Sequence, residues 1–80
     1  MINKDFFLNG LKEQFEEGDA DSLTFDTEFE SLDTWDSLTR FSIIAFINDD
    51  YQIIIGPDDF KKLKTPQEIF DYISIELNNT

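Results

Sequence analysis

The chain has no cysteine and no histidine. Without cysteine there is no disulfide, no thiolate nucleophile and no thiolate metal site. Without histidine there is no Ser-His dyad, and most zinc sites are closed. Basic residues are scarce as well: six Lys and Arg stand against eighteen Asp and Glu, a net charge of −12. Such a field repels nucleic acid and anionic membrane and favours basic protein surfaces as partners. No apolar run is long enough to span a bilayer, and Met1-Ile2-Asn3-Lys4-Asp5 lacks the basic region and apolar core of a signal peptide. The expectation is a cytoplasmic monomer.

What is present is a core. Hydrophobic residues make up 40% of the 80, above any disordered composition, and nine are Phe. One domain over residues 1–80 is expected, with a net stability of roughly 4–12 kcal/mol. Asn3 is a candidate N-cap for a first helix whose apolar stripe is Phe7, Leu8, Leu11 and Phe15, widened by Phe6. Gly18 is placed at its C-terminal end, where a positive φ would favour glycine. Gly10 inside it costs about 1 kcal/mol relative to Ala and signals close packing.

From Asp19 to Trp35 no helical period holds. Acids, Asp33 among them, alternate with Leu23, Phe25, Phe29, Leu32 and Trp35. A loop this long inside a compact domain should be functional or packed down. Its five large apolar residues predict the latter, with a short helical turn near Thr27 to Ser31. A second main helix runs from about Ser37 to Asp50, apolar nearly all round, so it is buried or presents an apolar patch to a partner. Gly56-Pro57-Asp58-Asp59-Phe60 opens a short helix. Thr65-Pro66-Gln67-Glu68 reads as a capping box for a last helix with the stripe Ile69, Phe70, Ile73 and Leu77. The fold class is all-α: a small bundle of three main helices plus one short helix, with a long loop between helices one and two.

The acidic segments do not make a calcium loop. Starting at Asp19 puts Leu23 and Thr24 at positions five and six; starting at Asp26 puts Ser31 at six and Ser37 at twelve. A paired-carboxylate hydrolase needs a cleft that so small a bundle has little room for. No catalytic residue is assigned and the chain is not read as an enzyme.

Attention falls on Trp35-Asp36-Ser37-Leu38, where the acidic segment meets the most apolar run. Asp36 or Ser37 can cap the helix. The Ser37 hydroxyl then sits at the positive end of a helix dipole, where free N–H groups stabilise phosphate. With no histidine, and Asp36 a poor base once it caps, Ser37 is no nucleophile acting alone. It is a candidate for modification by another enzyme.

Asp36-Ser37-Leu38 opening the central helix, Tyr51 closing it, Ile53 and Ile55 after it, then Asp58-Asp59-Phe60 and Thr65-Pro66 with Glu68-Ile69, together resemble an acyl carrier protein over nearly the whole length. The resemblance implies that Ser37 bears a covalent 4′-phosphopantetheine arm, added from coenzyme A by a phosphopantetheinyl transferase. It implies that Asp36 helps bind the magnesium of that reaction and that Leu38 seats the motif and meets partners. Acyl or aminoacyl cargo would ride as a thioester, loaded and unloaded by other biosynthetic enzymes, and the chain's lack of cysteine would leave the arm's thiol alone. Thr39, Arg40 and Ser42 stand where carriers of fatty acid synthesis usually have acids, and Trp35 before the motif is more like specialised stand-alone carriers. Trp35, Arg40, Ile43 and Phe46 are the candidate partner-binding residues. Trp35 also reads as a loop anchor, and Ile43 and Phe46 equally as core. Phe41 and Phe46 are expected to fill space that a long acyl chain would need. Lys61, Lys62 and Lys64 read as a solvated face. The alternative to a carrier is an unmodified acidic interaction module of the same fold.

Overall fold

The computed structural model describes residues 3–32 and 35–78; Met1, Ile2 and Asp33 of the sequence reading lie outside them. Five helices run in the order α1 (Lys4–Lys12), α2 (Glu17–Ser22), α3 (Ser37–Tyr51), α4 (Pro57–Phe60) and α5 (Pro66–Asn78), with one 3₁₀ turn at Phe29–Ser31. The all-α class is as read, and α2 is the element the sequence reading did not contain.

Helix α1 starts where expected: the Asn3 side chain accepts the Phe6 N–H at 2.9 Å. It ends five residues early. The Gln14 side-chain amide donates to the Gly10 carbonyl at 3.2 Å, the acceptor that the Gln14 backbone N–H would take in a continuing helix. The backbone N–H groups of Gln14 and Phe15 bond instead to Leu11 and Lys12, three residues back. Gly18 therefore lies inside α2 and needs no positive φ. Phe15 leaves the helix but stays buried, whereas Phe6 is 63% exposed and does not widen the core stripe.

Helices α1, α3 and α5 pack around Phe7, Leu11, Ile43, Ile47, Ile69 and Ile73, all fully buried. Phe7 is ringed by Phe25, Phe46, Tyr51 and Phe70 at centroid distances of 5.6–6.4 Å. Leu77, assigned to the α5 stripe, is exposed near the helix end. The capping box is half as expected. Thr65 Oγ1 accepts the Glu68 N–H at 3.2 Å, but the Glu68 carboxylate takes the N–H of Lys64, one residue further out.

The long segment is packed down. Leu23 and Phe29 are buried, and Phe25, Leu32 and Trp35 pack against the core. Two backbone bonds sew it to the α4–α5 connection: Phe29 N–H to the Lys64 carbonyl at 2.9 Å, and Gln67 N–H to the Phe25 carbonyl at 3.1 Å. An exposed Lys64–Glu30 ion pair at 3.3 Å adds at most about 1 kcal/mol. The radius of gyration, 11.7 Å, is that of a compact domain of this length.

Gly10 is explained by contact. A Cβ there would stand 2.6 Å from Phe46 Cε1, and the Phe46 ring is held between Phe7 and Tyr51. Gly10→Ala gains about 1 kcal/mol of helix propensity but forces an overpacking cost of about 1–3 kcal/mol. Denaturant unfolding should show a net loss, and the loss should shrink in a Phe46→Leu background, where the ring is gone.

Candidate functional site: the N-terminus of α3

Helix α3 begins as the sequence predicts. Asp36 is its N-cap, with the carboxylate accepting the Thr39 N–H at 2.8 Å and the Asp36 carbonyl accepting the Arg40 N–H at 3.1 Å. Ser37 is the first helical residue and is exposed. Leu38 beside it is 76% exposed, so the motif stands on the surface and not in a cleft.

What holds this terminus in place is Trp35. Its indole stacks on Phe29 at 4.9 Å between ring centroids and 13° between planes, with Phe15 and Phe60 at 6.2 and 6.3 Å. The four rings come from the α1–α2 connection, the 3₁₀ turn, the motif and α4, so four separate segments converge one residue before the cap. Of the two roles read for Trp35, anchor and partner contact, the geometry shows the anchor.

Trp35 also divides two recesses. On one side an open groove of about 560 Å³ runs between the α1–α2 turn, at Gln14 and Glu16, and Asp36, Leu38, Thr39 and Ser42 of the motif. On the other a recess of about 50 Å³ lies behind Trp35, bordered by Arg40, Lys61, Lys64 and Leu63. The second is about a tenth the size of the first.

Three expectations change. Ile43 and Phe46, named as partner-binding residues, are core: Ile43 is fully buried and Phe46 nearly so, since 3.6-residue geometry turns both toward α1. Phe41, expected to fill the interior, is 54% exposed. The first-turn N–H groups are not all free for a phosphate, because Asp36 already takes that of Thr39 and draws on that of Leu38. Arg40 is half-buried, with its guanidinium over the Phe41 ring at 5.8 Å. The exposure of Phe41, beside the Leu38 already expected to meet partners, is what sequence reading missed, because apolar residues surround α3 and give no signal for which side packs inward.

The Asp36 carboxyl is held below the ordinary aspartate range, first by the Thr39 backbone N–H, then by the Thr39 side chain, with the Leu38 N–H adding. A group whose folded pKa lies below its unfolded one stabilises the fold above the unfolded value, and that contribution is lost as pH falls through the folded value. Asp36→Asn caps without titrating. Comparing thermal unfolding of the two proteins, the advantage of wild type should be largest at pH 5–7 and should shrink progressively below about pH 4 as pH falls through the lowered folded value. An advantage that grows on acidification contradicts the cap.

The geometry fits a prosthetic arm on Ser37: the hydroxyl is exposed, at a fixed helix start, with open space beside it. As a base Asp36 is weakened by its lowered pKa. No curated protein and no solved structure matches the chain. The phosphopantetheine attachment site family matches residues 6–73, most of the chain and all of the elements that frame Ser37. The chain belongs to that family, the acyl carrier proteins, whose domains take a covalent 4′-phosphopantetheine arm and are typically carriers served by transferases and biosynthetic enzymes.

Proposed function

We propose that Ser37 is the attachment residue and that the protein carries an acyl or aminoacyl group as a thioester on the arm, for enzymes that load and unload it. The observation that carries this is the exposed Ser37 hydroxyl at the first position of α3, directly after the Asp36 cap, inside the region the family matches. In the transfer, Ser37 Oγ forms a phosphodiester bond and gives up its proton, while the pyrophosphate bond of coenzyme A breaks and the adenosine bisphosphate portion leaves. Asp36, the carboxylate adjacent to Ser37, would help hold the magnesium of that reaction.

Incubation with coenzyme A, magnesium and a broad-specificity phosphopantetheinyl transferase, followed by intact mass, should show one phosphopantetheine on the wild type and none on Ser37→Ala. Failure with several transferases favours the unmodified module.

The cargo is short. The space behind Trp35 is about 50 Å³, and the stacked rings of Phe29, Trp35 and Phe60 occupy the way inward; of Phe41 and Phe46, expected to fill the interior, Phe46 is buried and Phe41 is not. A long chain would have to stay in the open groove or displace buried rings. Loading a series of acyl lengths should leave the melting temperature flat; a steady gain with length contradicts this.

A further inference from the structure

The exposed side of α3 carries an unusual charge pattern for this protein. In a chain with eighteen acids, residues 37–48 contain none. At about 100° per residue, Arg40, Ser37, Phe41 and Leu38 follow one another across a single arc of the helix, with Ser37 near its middle. Leu38 and Phe41 are the large exposed apolar residues of that arc. Beyond Arg40 the surface continues to Lys61 and Lys64 across the small recess they share, with Lys62 alongside.

Three of the chain's six basic residues, Arg40, Lys61 and Lys64, therefore border one recess on the Arg40 side of Ser37. The acids beside them are Glu30, paired with Lys64, Glu68, whose carboxylate accepts the Lys64 N–H, and Asp58 and Asp59 within the single turn of α4. Among the described residues Arg40 has no carboxylate partner, and its buried Nε has no hydrogen-bond acceptor. At physiological ionic strength charges are screened within about 8 Å, far less than the 36 Å length of the molecule. A docked surface therefore responds to this face and not to the total of −12.

We propose that the enzymes acting at Ser37 dock here through an apolar depression rimmed with carboxylates, which seats Leu38 and Phe41 and pairs with Arg40, Lys61 and Lys64. The net charge alone predicts the reverse, a basic partner. The proposal rests on the carrier reading, since Ser37 lies in the middle of the face and whatever modifies it must cover the face. Opposite charges across such a contact set orientation and association rate more than final affinity.

The test uses a panel of phosphopantetheinyl transferases sorted by the charge around their active-site mouths, with kcat/KM measured for wild type, Arg40→Glu, Phe41→Ser and Lys12→Glu. Lys12 lies on α1 and borders neither recess, and its reversal changes the net charge by the same amount. With acid-mouthed transferases, Arg40→Glu should lower kcat/KM by about tenfold or more and Phe41→Ser should raise KM, while Lys12→Glu stays within about twofold. Basic-mouthed transferases should prefer Arg40→Glu over wild type. Equal effects of Arg40→Glu and Lys12→Glu, or the same response from every transferase, overturn the proposal while leaving the carrier reading intact. Absence of modification of the wild type by the whole panel sinks the carrier reading, and this proposal with it.

Discussion

The burial of Phe29 is the contact on which the site depends. Its ring lies beneath Trp35 and beside Phe15 and Phe60, and its N–H is bonded to Lys64. One residue thus ties the long acidic segment to the α1–α2 connection, to the α4–α5 connection and to the motif. Ordering a residue costs about 1–2 kcal/mol in backbone entropy alone, and a segment this acidic gains little from its charged side chains. Buried rings, each removing a large apolar area from water, offset that cost, and stacked geometry adds a further increment. Without them the chain before Asp36 would have no reason to hold one conformation, and the helix cap would have no fixed approach.

The cap and the modification share one helix terminus and partly compete for it. A helix N-terminus favours a single anion, and Asp36 supplies one already. On the proposed reading, a phosphodiester on Ser37 would add a second negative charge within a turn. Asp36 and Ser37 are both exposed, so water and salt would screen the repulsion. Exposure is also what leaves the Ser37 hydroxyl open to another enzyme. A buried motif would have made a stronger cap and a poorer substrate.

Much of this was legible in the sequence because it is local. Asn3, Asp36 and Thr65 cap their helices as their side-chain chemistry dictates, Pro57 and Pro66 open α4 and α5, and Gly10 marks the close approach of Phe46. The loop's apolar residues announced that it packs down. What was not legible depends on competition between near-equal alternatives. The end of α1 turns on whether Gly10's carbonyl accepts from the backbone or the side chain of Gln14. The facing of α3 could not be read from its composition, since apolar residues surround it: Ile43 and Phe46 went inside while Leu38 and Phe41 stayed out. Only the positions of α1 and α5, which are tertiary facts, decide between those faces.

Trp35 draws these strands together, because the same ring anchors the motif and walls off the recess behind it. Stability and room for cargo are therefore coupled through one side chain. Enlarging the recess means loosening the stack that fixes the approach to Asp36, so a version of this chain built for bulky cargo would need another anchor for its long loop. The basic face follows from the same arrangement. With Trp35, Phe29 and Phe60 stacked inward, the end of α4 is drawn against the first turns of α3, and that brings Lys61 and Lys64 up to Arg40. The packing that orders the loop thus also sets the charge that a partner meets beside Ser37.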